Sequence, residues 1–249
     1  MRSHPKQSDD ARDAFPMRIN KYLAYTNQAT RREGDELVAK RQVLINGRVA
    51  LLGDKVEAGD TVEVRRRGKP KDYVYFAYHK PAGIITHSPQ GEEKDIATVT
   101  EDAPELKGCF PIGRLDKASR GLILLTNDGR ITDRLLNPKY PHEKEYRVKT
   151  RELLQSSFAK KMEAGVDIEG ERTKPCTVQV LGEHTFSIIL SEGKKHQIRR
   201  MVSAMRNEVA DLKRVRIMNI KLGTLRAGEY RPITGAELDA FLTSLGLRG

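Results

Sequence analysis

An α+β protein in two parts is what the order of elements along this chain predicts. Three observations lead there. Segments that read as strands outnumber those that read as helices. The two kinds do not alternate strictly, as they would in a doubly wound parallel sheet. A charged stretch with Gly and Pro punctuation, Arg65-Arg66-Arg67-Gly68-Lys69-Pro70-Lys71-Asp72, separates a short first unit from a longer second one. The 249 residues suit one medium domain and one small one.

Residues 1–16 are polar, lack the apolar core of a secretory signal, and read as a disordered leader. The first unit spans residues 17–64. Ile19, Tyr22 and Leu23 lie at i, i+3 and i+4, the stripe of a short helix. Thr30-Arg31-Arg32-Glu33 fits a capping box and opens a second helix with Leu37 and Val38 on its apolar side. Asn46-Gly47 between residues 43–45 and 48–50 signals a hairpin. Gly59-Asp60 turns the chain into a strand over residues 61–64, and residues 65–72 form a basic linker.

The second unit runs over residues 73–249. Strands are predicted at residues 74–78, 83–86, 122–126, 146–149, 177–181 and 186–190. Helices are predicted at residues 131–136, 153–164, 196–205 and 236–245. No internal repeat interrupts this pattern.

Composition narrows the function. Lys and Arg number 45 against 34 Asp and Glu, a net charge of +11, which suits a polyanionic partner, nucleic acid first. No run approaches the roughly 18 apolar residues of a membrane-spanning helix. Two cysteines, Cys109 and Cys176, exclude a disulfide framework and read as reduced thiols of a cytoplasmic protein. There is no phosphate-cradling Gly-x-x-x-x-Gly-Lys-Ser/Thr loop, no Gly-x-Gly-x-x-Gly, and no Cys or His pair at metal-ligand spacing. His87 and His184 have no evident partner. Neither a metal nor a cofactor is expected.

Four segments carry chemistry. In Gly113-Arg114-Leu115-Asp116-Lys117-Ala118-Ser119-Arg120-Gly121-Leu122, one carboxylate stands between two arginines ahead of an apolar run. Neighbouring cations lower a carboxylate pKa by roughly 1–3 units, which suits a nucleophile or general base. Spacing alone favours a plainer reading, a surface turn in which Asp116 bonds its own backbone. In Glu192-Gly193-Lys194-Lys195-His196-Gln197-Ile198-Arg199-Arg200-Met201, the residues Ile198, Met201, Val202 and Met205 form a buried stripe with both arginines on its flanks. His79-Lys80-Pro81-Ala82-Gly83 ends a strand in a turn, and His142-Glu143-Lys144-Glu145-Tyr146 leads into another strand.

These segments resemble RNA pseudouridine synthases of the RsuA/RluF branch, from about residue 17 to the C-terminus. Gly-Arg-Leu-Asp followed by Ser-Arg-Gly-Leu resembles the family's catalytic-aspartate motif, which implies that Asp116 is catalytic. The second-unit resemblance implies the pseudouridine synthase fold, a mixed, mainly antiparallel sheet carrying the cleft. By the same resemblance Tyr146 is the active-site tyrosine, suited to stacking on an extruded base. The Gln-Ile-Arg match implies that Arg199 pairs with Asp116, at some desolvation cost. Lys80 lies in a segment resembling the family's Lys-Pro-x-Gly element. Lys80, Arg114 and Arg200 are expected to contact RNA. The first unit resembles an S4 RNA-binding domain, with Arg18, Lys21, Arg31, Arg32, Lys40 and Arg41 supplying phosphate contacts.

The reaction so implied breaks the uracil N1–C1′ bond, turns the base and rejoins it through C5, without metal, redox cofactor or nucleotide. Ionised Asp116 either attacks C1′ or takes the C2′ proton. Arg-Leu-Asp-Lys, His-Glu-Lys-Glu-Tyr and Arg216-Ile217-Met218-Asn219 resemble the RluF-type enzymes more than the small-subunit type, implying large-subunit 23S rRNA. The alternatives are 16S rRNA, a tRNA anticodon stem, or a non-catalytic RNA-binding or ribosome-assembly factor. Asp116, Tyr146 and Arg199 together argue against an inert cleft. A monomer in the cytoplasm, away from membranes, is expected. The chain ends soon after Leu247, without the long basic tail of some relatives, so any RNA grip from such a tail is expected to be absent.

Overall fold

Ile19 and Leu23 are buried on one side of the first helix, where their spacing places them. The computed structural model describes residues 15–26, 28–65, 72–86, 94–101 and 103–247, in two units that divide between Asp72 and Tyr73. In the first unit β1 (Met17–Arg18) leads into α1 (Ile19–Tyr25). The helix α2 (Arg31–Ala39) opens on the capping box: the Glu33 N–H donates to Thr30 Oγ1 at 3.0 Å, and the Thr30 N–H to Glu33 Oε2 at 2.9 Å. The strands β2 (Val43–Ile45) and β3 (Arg48–Val49) form the hairpin, with Asn46 at φ 48° and Gly47 at φ 79°. Both left-handed values are what a two-residue type I′ turn requires.

The strand β4 (Lys55–Val56) pairs with β1, and β5 (Val62–Val64) pairs with β2. Ile19, Leu23, Val38, Val43, Ile45 and Val56 make the core of this unit. Phe15 joins it, 6.2 Å from Tyr22 between ring centroids, although the sequence reading placed it in the leader. Residues 1–14 of that leader and residues 66–71 of the basic linker lie outside the described residues.

The second unit begins with β6 (Tyr75–Lys80), α3 (Ile96–Thr100), β7 (Phe110–Ile112), β8 (Arg120–Thr126) and α4 (Arg130–Leu136). It continues with β9 (Lys144–Thr150), α5 (Phe158–Glu163), β10 (Asp167–Ile168), β11 (Glu171–Arg172), β12 (Thr177–Gly182) and β13 (Thr185–Leu190). The last elements are α6 (Gln197–Ala204), β14 (Val209–Ile217), β15 (Ile220–Lys221), β16 (Tyr230–Pro232) and α7 (Gly235–Ser244). Among the described residues, nine strands form one sheet in the order β12-β13-β9-β14-β8-β6-β16, with β15 on β14 and β7 on β8. Every pair is antiparallel except β14 with β8, so the architecture is the α+β one expected.

Alternation along β6 and β8 serves two cores on opposite faces. Tyr75, Ala77, Leu122 and Leu124 pack with Ile131, Leu135 and Phe241 from α4 and α7. Phe76, Tyr78, Ile123 and Leu125 pack on the other side with Ile96 and Leu106. A further core gathers Val148, Phe158, Phe186, Ile188 and Met201 around the β9–β13 end.

Two expected elements differ. Residues 83–86 form no strand but turn, with a single bridge between Ile85 and Asp95. The helix expected over residues 153–164 begins only at Phe158, because the Leu154 N–H is drawn to the Glu183 carbonyl at 2.7 Å.

Candidate active site

Lys80, Gly121, Arg214 and Tyr146 stand in one register row across β6, β8, β14 and β9, and so share one face of the sheet. Gly121 makes the row possible. Its φ is +112°, and a Cβ there would sit 2.2 Å from the Arg214 carbonyl oxygen. Any side chain would force β14 away from β8.

The row is strongly cationic. Lys80 is wholly buried, its Nζ donating to the Pro81 carbonyl at 2.9 Å and the Ile84 carbonyl at 2.6 Å. Burial pushes this ammonium down to about 8; the Asp116 carboxylate works against the shift and Arg214 adds to it. Lys144, donating to the His142 carbonyl at 3.1 Å, is also pushed down to about 8, by burial and then by Arg214. Arg214 is buried, with Nε donating to the Leu122 carbonyl at 2.7 Å and Nη1 to the Arg114 carbonyl at 3.3 Å. Backbone carbonyls position these cations.

Asp116 sits on the loop between β7 and β8, and its backbone is fixed on both sides. The Ser119 N–H donates to the Asp116 carbonyl at 2.9 Å. Thr86 Oγ1 donates to the Leu115 carbonyl at 2.9 Å and accepts from the Leu115 N–H at 3.1 Å. The Gly83 N–H reaches the Lys117 carbonyl at 2.8 Å, which gives the turn at 81–83 its purpose. The carboxylate opens onto a cleft of about 180 Å³ bounded by Thr86, Arg114, Lys117 and His196. A larger hollow of about 330 Å³ near Phe158 and Asn207 holds none of these residues.

His196 is the residue that sequence reasoning missed. It precedes α6 in a left-handed conformation, φ 52°, and its Nε2 lies 3.4 Å from Asp116 Oδ1. The backbone twist that aims it at the loop leaves no sequence signature; the histidine beside the Gln-Ile-Arg segment was the available clue. Arg199 does not make the expected pair with Asp116. Among the described residues its guanidinium donates to Ser119 Oγ at 3.2 Å and to the Val209 carbonyl at 3.5 Å. Arg199 lies in the first turn of α6 and leans over the buried Ser119, while His196, just outside the helix, meets the carboxylate.

Two expected RNA contacts are corrected. Lys80 is buried beneath the loop, out of reach of a phosphate backbone. Arg200 is engaged within the fold, donating to Glu169 at 2.7 Å and to the Ile168 carbonyl at 3.1 Å. Arg114 is exposed at the cleft. In the first unit Arg18, Lys21, Arg31, Arg32, Lys40 and Arg41 are all exposed; Lys40 lies 3.9 Å from Glu36. Tyr146 is half-buried, and its hydroxyl has no hydrogen-bond partner among the described residues.

Burial pushes the Cys109 thiol up, and the Cys176 thiol to about 11, so neither is arranged as a thiolate nucleophile. Among the described residues no three His, Cys, Asp or Glu side chains gather as a metal site, and no helix is long and apolar enough to cross a membrane.

A family model described as RNA pseudouridylate synthase matches residues 74–204, and the S4 domain model matches residues 17–62. The chain belongs to the RNA pseudouridylate synthase family. The synthase is 40% identical over 225 residues to "Dual-specificity RNA pseudouridine synthase RluF" of Salmonella typhi, covering 89% of this chain and 77% of that protein. It is 34% identical over 230 residues to "Ribosomal large subunit pseudouridine synthase B" of Bacillus subtilis, covering 89% of this chain and 93% of the relative. A crystal structure of a pseudouridylate synthase superposes with a TM-score of 0.66 at 28% identity, over 92% of this chain and 99% of that one. The resemblance read from the motifs is borne out, and the synthase carries an S4 domain ahead of its catalytic unit.

Proposed function

We propose that the synthase converts a uridine of large-subunit (23S) rRNA to pseudouridine, with Asp116 as the catalytic aspartate. The observation that carries this reading is the placement of one carboxylate, on a loop pinned by Thr86 and Ser119, above a row of buried cations. The name of the B. subtilis relative supports the choice of ribosomal subunit.

The exposed cations of the S4 domain hold the RNA backbone through salt-sensitive contacts. The target uridine leaves its stack and enters the cleft, where Tyr146 offers a ring face for stacking and a free hydroxyl. The carboxylate of Asp116 then adds to C1′ or removes the C2′ proton, and the N1–C1′ bond breaks. The detached uracil turns and C5 bonds to C1′, as the Asp116–C1′ bond breaks on the first route or the proton held by Asp116 returns to C2′ on the second. The C5 proton then leaves and N1 finishes protonated, so the product is an isomer of the substrate. Arg199 steadies the aspartate loop through Ser119. His196 keeps the carboxylate in one orientation.

The test maps pseudouridine across rRNA and tRNA in cells lacking the protein, complemented with wild type or Asp116→Asn. One large-subunit position is expected to lose its modification and to regain it with wild type alone. Loss at a small-subunit or tRNA position overturns the substrate. Full restoration by Asp116→Asn overturns the role of the aspartate.

A further inference from the structure

Directly behind the row of Lys80, Gly121, Arg214 and Tyr146, a second row occupies the opposite face of the sheet. Lys213 is the register partner of both Arg120 on β8 and Arg147 on β9. Each of these three is the chain neighbour of a cleft-row residue, and alternation turns all three away from the cleft. Like charges directly opposite on adjacent strands destabilise a sheet. Here three cations share one row, and Lys149 lies two residues further along β9, opposite Asp211.

The fold does little to neutralise them. Asp211 is taken up by Arg120 in a two-pronged pair at 2.8 and 2.7 Å. Among the described residues no carboxylate lies within ion-pair distance of Arg147, Lys149 or Lys213. The crowding registers on Lys213, whose ammonium is held below the usual lysine range by burial and then by Arg120 and Arg147, with Asp211 opposing. The core beneath α4 and α7 covers the β6 and β8 side of this face. Arg147 and Lys149 are left exposed and Lys213 half-exposed.

We propose that this open cationic face binds the phosphate backbone of the RNA substrate, on the far side of the sheet from the uridine cleft. The proposal rests on the reading that a long structured RNA is the substrate. A polyanion is the occupant that relieves the repulsion within the row. Two strand spacings give the row a length of roughly 10 Å, enough to follow a stretch of backbone rather than hold one small ion. A substrate gripped on both faces is fixed in orientation before its uridine leaves the stack, because phosphate contacts set register without reading sequence.

The test compares wild type with Arg147→Gln/Lys213→Gln in binding a protein-free large-subunit rRNA transcript, between about 50 and 200 mM salt. The variant is expected to bind about tenfold more weakly. Its plot of log affinity against log salt should be shallower by roughly 0.7–0.9 for each lost phosphate contact. Its thermal midpoint should equal or exceed that of wild type, since a repulsion has been removed. The charge-preserving Arg147→Lys/Lys213→Arg should keep the wild-type slope. Unchanged affinity and slope in the glutamine variant overturn the proposal, as does an equal loss in the charge-preserving one. If wild type makes no pseudouridine in this transcript while the glutamine variant still loses slope, the large-subunit reading fails and the second RNA face stands.

Discussion

His196 approaches Asp116 to 3.4 Å, Nε2 to Oδ1, from a left-handed backbone that only glycine adopts freely. For other residues that conformation costs roughly 1–2 kcal/mol, and the surrounding fold must hold it in place. His196→Gly is therefore expected to leave stability level or raised. Its kcat should fall about tenfold, a barrier increase of about 1.4 kcal/mol for the lost contact with the carboxylate. His196→Asn tolerates the same backbone, retains a donor, and should keep more of the activity. Paired unfolding curves and single-turnover assays check this; a glycine variant as fast as wild type removes the imidazole from the reaction.

Asp116→Asn keeps the shape of the side chain and removes its charge. The chemical step is expected to slow by at least about 1,000-fold, within the range lost with a general base or more. RNA affinity should hold or improve, because a negative charge has left a cationic cleft. Filter binding alongside pseudouridine quantification separates the two effects.

Lys80 and Lys144 give the protein a pH signature. In the folded state both are held at about 8, whereas an unburied lysine keeps its proton to 10.5. Below pH 8 both states are protonated and the burial penalty acts in full. Between about 8 and 10.5 the unfolded chain binds more protons than the native one, so the contribution of these lysines to stability improves as pH rises. Activity should move the other way above pH 8, as Lys80 loses the charge that faces Asp116. Urea midpoints between pH 7 and 10 are expected to show a flatter profile in Lys80→Met than in wild type.

Gly121→Ala tests the junction of β8 and β14. The added methyl would stand 2.2 Å from the Arg214 carbonyl oxygen in a backbone at φ +112°. A loss of more than about 4 kcal/mol is expected, in the range reserved for backbone strain and core disruption. An unchanged urea midpoint would show that the strands separate without cost.

Local chemistry was legible wherever residues spoke for themselves. The Thr30–Glu33 capping box, the Asn46-Gly47 hairpin and the apolar strand at 122–126 all stand where their side chains predict. β14, at the centre of the large sheet, was invisible because Lys213 and Arg214 stand where an alternating strand would carry apolar residues. The same substitution of charge for apolar bulk hid the burial of Lys80, read as an RNA contact, whose ammonium is satisfied by carbonyls that only the folded chain brings near. The site motifs named the loop of Asp116 but not its partner. Arg199 lies on the helix beside that loop, yet it is the residue just before the helix, His196, that touches the carboxylate.

The late position of β14 has a consequence for biosynthesis. Strands β8 and β9 follow one another in the chain, but β14 lies between them in the sheet, parallel to the first and antiparallel to the second. A chain growing from the ribosome therefore completes its S4 domain, its aspartate loop and Tyr146 well before the strand that joins β8 to β9 emerges. Closing such a long connection is slow relative to local folding. A copy ending before Val209 would hold both flanking strands and nothing to join them, so the row of Lys80, Gly121, Arg214 and Tyr146 is assembled only when β14 arrives.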